Sequence, residues 1–280
     1  MAEHAGRVVV ASFNMHAGID GWGRPYDPVP TCLAADADVL LLVEHFTPER
    51  ADEFAGAPPE PSVAERLVAA GAYEVAAEAT LCRAALVNPP VLGPRARSRW
   101  GRGGATDYGL RLLVRPPGAA RRQRARPARV RGGWGMVLLS RLPVRTAKVL
   151  PLTPLRRDPI VRALLHVEVE CPDGTPLVVT GAHLPHLSHG SPLRFGELRR
   201  ALPPARAPGV FMGDMNCFGP PLSLALPHWR RAVRGRTWPA WKPIAQPDHI
   251  FVSRAVRATT GRVLRQSGSD HNAVVATLSW

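Results

Sequence analysis

Short apolar runs that meet a single acidic, amide or imidazole residue at one end recur along this chain, and they constrain its fold more than any other feature. Arg7–Asn14 (RVVVASFN), Asp38–Glu44 (DVLLLVE), Pro176–His183 (PLVVTGAH) and Gly209–Asn216 (GVFMGDMN) each finish on such a residue. Asp248–Ser253 (DHIFVS) begins with Asp248 and His249, and Asp270 with His271 stands directly before Asn272–Leu278 (NAVVATL). These runs are too short for buried helices and are rich in β-branched residues, so they read as buried strands. Further strands are expected at YEVAAEA, YGLRLLV, GWGMVLLS and VRTAKVL, and in a hairpin of ALLHVEVE and PLVVTGAHL around the turn CPDGT.

Helix signals fall between them. Asp27 followed by Pro28 predicts a helix running to about Ala37. Thr47 with Pro48 repeats that signal, Ser62 with Glu65 forms a capping box, and Ser191 is placed to cap SPLRFGELRRAL. A chain this strand-rich, with few helices, predicts an α/β fold of two packed sheets with helices outside. No composition break divides it, so one domain over residues 1–280 is expected. Chemistry in such folds gathers at strand ends and their loops.

The N-terminal residues lack a signal-peptide pattern, and the longest apolar run, Val39–Val43, cannot cross a bilayer. A cytoplasmic protein without stable membrane insertion is therefore expected. The four cysteines are dispersed and form no C-x-x-C, which points to reduced core residues rather than a metal cluster or disulfide framework.

The net charge is +14, carried almost wholly by arginine, since Lys148 and Lys242 are the only lysines. Between Arg95 and Arg131 twelve arginines stand against one acid, Asp107, so the charge is concentrated in an Arg-rich loop region of about 94–131. Such a balance favours polyanionic partners: nucleic acid or another phosphate-rich molecule.

The polar strand ends suit one chemistry. Mg²⁺ is a hard cation that takes carboxylate, amide and water oxygens. Phosphoester hydrolysis needs polarised phosphate oxygens, a stabilised developing charge and a positioned water. Glu44 and Asp270 supply carboxylates, Asn14 and Asn216 amides, and His183 and His271 imidazoles. Strand alternation would place Asp214 and Asn216 on one side if extended geometry continued that far. Serine-nucleophile and zinc-protease signatures are absent, and His183, His186 and His189 sit in a loop without cysteine partners, which disfavours zinc.

In their order, the stretches SFNMHAG, VLLLVEHF, GWGMVLLSRLPV, VVTGAHLPHLS, FMGDMNC, PDHIFVSR and GSDHNAV resemble the endonuclease/exonuclease/phosphatase (DNase I-like) superfamily, from residue 12 to 274. The resemblance implies a four-layer α/β sandwich, two mixed β-sheets flanked by helices. It implies a metal-dependent phosphoric ester hydrolase that uses Mg²⁺, with Mn²⁺ as the alternative ion. Carried over, Glu44, Asn14 and Asp270 would serve the metal. His183 and Asn216 would hold phosphate, Asp214 would align or deprotonate the water, and Asp248 would orient His271 as acid/base. Many members carry Gln where Val43 stands, and abasic-site enzymes carry Asp where His16 stands. The second departure argues against a dedicated abasic-site endonuclease, whereas His186 suits other branches.

For substrate contact the sequence singles out His186, the basic residues Arg121, Arg122 and Arg124, and the aromatics Trp238 and Trp241 in RGRTWPAWKP. Hydrolysis of phosphodiesters in nucleic acid is the leading expectation. Phospholipid or inositol-phosphate headgroup hydrolysis comes second, and a catalytically inactive polyanion-binding module third.

Overall fold

The computed structural model describes residues 7–49, 61–87, 110–112, 128–265 and 267–280. In chain order these form β1 (Val8–Asn14), α1 (Val29–Ala35), β2 (Val39–Pro48), α2 (Val63–Ala69), β3 (Glu74–Val87), β4 (Leu110–Leu112), β5 (Ala128–Ser140) and β6 (Val144–Pro151). There follow β7 (Ala163–Glu170), β8 (Pro176–His183), α3 (Phe195–Ala201), β9 (Gly209–Asp214), α4 (Gly219–Ala225), β10 (Trp229–Arg231), β11 (Asp248–Ser253), β12 (Arg257–Leu264) and β13 (Ala273–Ser279).

The described strands make two sheets, β12-β13-β1-β2-β5-β3-β4 and β10-β11-β9-β8-β7-β6. Each is mixed: β1 runs parallel to β2 and β8 parallel to β9, while the other pairs are antiparallel. Side-chain alternation in β2 explains the layering. Val39, Leu41 and Val43 face the second sheet and meet Val167, Val179, Met212 and Ile250 in the central core. Leu40 and Leu42 point the other way, with Phe13, onto Cys32, Val63 and Leu67 of α1 and α2. On the far side of the second sheet, Phe211 and Phe251 pack on Leu198 and Leu222 of α3 and α4. Both faces of the central strands are therefore buried, which is why they read as continuous apolar runs. The expected four-layer sandwich is the observed one, with short helices. Among the described residues no helix is long and apolar enough to cross a membrane, and the four cysteines are free thiols.

The capping box at Ser62 forms as read, and Asp27 Oδ1 accepts the amide of Val29 at the mouth of α1. Two other helix signals do not act as read. Thr47 and Pro48 do not open a helix, because β2 continues through them, paired with Gly133 and Gly132 of β5. Ser191 does not cap α3. Its hydroxyl donates to Met215 O, while a 3-10 turn, Ser191–Arg194, leads into the helix.

Candidate active site

The register of the second sheet puts three of the expected residues side by side. His183 of β8 pairs with Asp214 of β9, and Asp214 pairs with Asp248 of β11. The first sheet meets them at the same end, where Asn14 closes β1 beside Val43 of β2. Glu44 follows in a bulge, with φ 56°, between Val43 and His45. That extra residue reverses the side-chain order: Glu44 turns toward the second sheet, and His45 is buried against α2, accepting the Ala64 amide. A left-handed conformation costs a non-glycine residue, and here it aims a carboxylate.

Asn14 links the sheets. Its amide donates to Glu44 Oε1 at 3.1 Å and Asp214 Oδ2 at 3.0 Å, and its Oδ1 accepts from the His16 amide. His183 Nε2 lies 3.8 Å from Glu44 Oε1 and 3.9 Å from Asp214 Oδ2. Asn216 reaches the site by a route other than strand alternation. Its φ is 47°, its backbone amide donates to Asp214 Oδ1, and its side-chain amide contacts Leu184 O and His183 Nε2 at 3.0 and 3.3 Å. The neighbours meet through an Asx turn.

His271 Nδ1 bonds Asp248 Oδ2 at 2.8 Å, leaving Nε2 facing Asp214 Oδ2 at 4.0 Å. Asp248 is also held by Thr237 Oγ1 at 2.5 Å. The turn that carries His271 is tied to β1, since Ser269 Oγ donates to Asn14 O and accepts the His271 amide. Gly268 there has φ 82°, and a Cβ on it would fall 2.3 Å from the Tyr26 ring, so the turn requires glycine. Asp270 stands apart from the central carboxylates, 3.7 Å from His16 Nδ1 and accepting Trp238 Nε1 at 3.3 Å.

Burial is the largest influence on the charges of the central groups. It pushes the Glu44 carboxyl up, and the nearby Asp270 pushes it further, against opposing effects of His16 and Asn14. It would lower the His271 imidazole, but Asp248 and Asp270 outweigh it and hold that group well above its usual range. Burial acts to raise Asp214, yet His271 and His183 bring it below the ordinary carboxylate value. His183 falls to about 3 through burial and then the cation of Arg162. The surroundings thus favour the neutral imidazole on one side of Asp214 and the protonated one on the other.

Among the described residues two triads place their donor atoms within 4.8 Å of one another: Glu44, His183 and Asp214, and Asp214, Asp248 and His271. Asp214 belongs to both. The donors around Glu44 are its own carboxylate, that of Asp214 and one imidazole nitrogen of His183, and burial already disfavours the charge on Glu44. A hard divalent cation fits that set, because it supplies the positive charge the carboxylates lack.

His186 lies exposed beyond β8, bonded to Ser188. Trp238 is partly buried, its ring 6.5 Å from His271, and Trp241 is exposed. Arg121, Arg122 and Arg124 fall outside the described residues, as does most of the Arg-rich region. The supporting contacts are not apparent from the sequence. Thr237 holds Asp248, and Ser269 joins the last turn to β1. A buried Arg162–Asp158 pair at 2.8 Å sends an Arg162 N–H to His183 O. Thr237 and Ser269 were within reach, since they adjoin Trp238 and Asp270 in the sequence; the Arg162–Asp158 pair carries no strand-end signal.

The model of the Endonuclease/Exonuclease/phosphatase family matches residues 11–271. No curated protein matches the chain in sequence. Among solved structures, an endonuclease/exonuclease/phosphatase from Beutenbergia cavernae is 21% identical with TM-score 0.60, over 98% of this chain and 72% of that one. TDP2 of D. rerio, complexed with a single-strand DNA product, is 14% identical with TM-score 0.58, over 98% and 99%. A mannosyl-6-phosphatase from Bacteroides thetaiotaomicron is 14% identical with TM-score 0.56, over 98% and 100%. At these identities the likeness is one of fold.

Proposed function

The chain belongs to the endonuclease/exonuclease/phosphatase family, and from that premise we propose that it is a divalent-metal-dependent phosphodiesterase acting on nucleic acid. The observation that carries the reading is the sharing of Asp214 between two triads. One is rich in groups suited to a cation, and the other ends in an imidazole that Asp248 orients and biases toward its protonated form.

Each residue then has a task its surroundings support. Glu44 would hold the ion beside Asp214, with Asn14 orienting both carboxylates through its side-chain N–H groups and Asp270 adding negative charge nearby, and Mg²⁺ or Mn²⁺ suits these donors. Bound there, the ion would polarise a non-bridging phosphate oxygen and acidify a water. Asp214, ionised and facing both triads, orients the attacking water and accepts its proton. His271, kept protonated by Asp248, presents Nε2–H to the charge that develops on phosphate. His183 is neutral, and with the Asn216 amide it offers hydrogen bonds to a phosphate oxygen without adding a competing cation. A net charge of +14 supports a polyanionic substrate. The DNA product complexed with TDP2, a protein of the same fold, is consistent with nucleic acid.

A substrate panel tests the reading: plasmid and oligonucleotide DNA, RNA, bis-p-nitrophenyl phosphate and phospholipid or inositol-phosphate headgroups, each with Mg²⁺, Mn²⁺ or EDTA. Metal-dependent cleavage of nucleic acid, abolished in Glu44→Ala and lowered roughly 10²–10⁴-fold in His271→Ala, is the expected outcome. Turnover confined to lipid or inositol headgroups would replace the substrate, and binding without any turnover would make the chain a polyanion-binding module.

A further inference from the structure

Two indoles stand beside the site on loops fastened to it. Trp22 follows the turn after β1, and Trp241 precedes β11. Their ring centroids are 4.4 Å apart, with the planes tilted by 45°. Both are exposed, at 37% and 41%, although burying large aromatic surface is normally favourable.

The pair is built into the fold. Asp20 accepts the amides of Trp22 and Arg24 and the Arg24 Nε, closing the turn, and the Arg24 guanidinium lies 5.6 Å from the Trp22 ring centroid. On the other loop, the Ala240 amide donates to Asp270 O at 2.7 Å, and Asn272 donates to Thr237 O and Ala240 O. Gly21 lies where the loops meet. A Cβ there would fall 2.2 Å from the Trp241 ring and 3.3 Å from Asp270 Cβ. Glycine at this position lets the indole pack within one residue of His271.

We propose that Trp22 and Trp241 form a stacking subsite for a nucleobase of the strand whose phosphodiester is hydrolysed. The inference rests on the nucleic-acid reading above and gives it a point of base contact. Indoles that keep more than a third of their surface exposed can meet the π-face that every nucleobase offers. Arg24 over Trp22, with exposed Arg236 and Lys242 on the Trp241 loop, supplies the charge a flanking phosphate seeks. Sugar phosphates and lipid headgroups carry the phosphate but lack the aromatic ring.

The test is equilibrium binding in EDTA of a labelled single-stranded oligonucleotide and of an equally long strand built from tetrahydrofuran abasic units. Trp22→Ala and Trp241→Ala should each weaken binding of the base-bearing strand by about 5- to 150-fold and leave the abasic strand unchanged. Trp22→Phe and Trp241→Phe should retain most of the affinity, which separates lost stacking from lost folding. Equal losses on both strands, no loss on either, or a loss seen only with phosphatidylserine vesicles would overturn the subsite. Wild-type protein that binds neither strand would remove the nucleic-acid reading and the subsite together; wild-type binding without base discrimination in the variants would remove the subsite alone.

Discussion

A buried imidazole beside a buried carboxylate is costly to desolvate, and His271 with Asp248 tolerates that cost because each supplies the other's counter-charge. The sign of the pH dependence follows. The imidazole is raised above its unfolded value near 6.5. Its contribution to stability is therefore fully present below that pH and is lost as pH rises through the higher folded-state value. In metal-free protein, NMR titration should find His271 still protonated above neutrality and returned toward or below 6.5 in Asp248→Asn. Wild-type stability should also decline more than that of Asp248→Asn on going from pH 6 to pH 9. A His271 that titrates at or below 6.5 in the wild type would mean that burial, not Asp248, governs the group. Singly, an acid, amide or imidazole at a strand end has ordinary structural uses, such as the Asx turn at Asp214; these residues were legible as a set and in their order. The small hydroxyls that hold them, Thr237 and Ser269, look like any turn residue until the turn is folded.

At the scale of elements, the continuous apolar run Val39–Val43 was readable as strand, because both faces of a central strand are buried. The Glu44 bulge was not, since nothing in VLLLVEHF marks an extra residue; only pairing with β5 shows it. The same pairing explains why Thr47–Pro48 continues a strand where its local chemistry favours a helix start. β10, β12 and α4 escaped for a related reason. β12 is mostly exposed and polar, and the other two are short and proline- or arginine-bearing, so their periodicity carries little signal. The bulge makes a prediction of its own. Replacing Glu44 removes a partly buried carboxylate in either Glu44→Gly or Glu44→Ala, but alanine keeps a Cβ at φ 56°. Left-handed backbone costs an L-residue about 1–2 kcal/mol, against about 0.5–1 kcal/mol for glycine's extra chain entropy. Glu44→Gly should match or exceed Glu44→Ala in stability by up to about 1 kcal/mol in urea denaturation, with both inactive. A clearly less stable glycine variant would show that the bulge is not strained. In the central layer, Leu41→Ala should cost about 2–5 kcal/mol, because facing apolar side chains enclose it on all sides.

At the scale of the molecule, two sheets bring one end of their strands together to make the site, and the charge that would gather a polyanion lies mostly elsewhere in the chain. The Arg-rich region between Arg95 and Arg131 carries +11 of the total, so attraction and chemistry can be tested separately. Neutralised phosphates release counterions, and the logarithm of affinity falls with the logarithm of salt concentration by about 0.7 per contact on single strands. Wild-type binding to single-stranded DNA should therefore weaken steeply between 50 and 200 mM salt. Changing Arg121, Arg122 and Arg124 together to glutamine should flatten the slope by about 2 if all three meet phosphate. The loss should be the same for base-bearing and abasic strands, because a phosphate contact is blind to the base; this separates it from stacking at Trp22 and Trp241. Hydrolysis of bis-p-nitrophenyl phosphate should stay unchanged, since a small ester reaches Glu44 and His271 without the flanking backbone. An unaltered slope in the triple variant would exclude these three arginines from the strand's path and leave its electrostatic attraction to the rest of the basic surface.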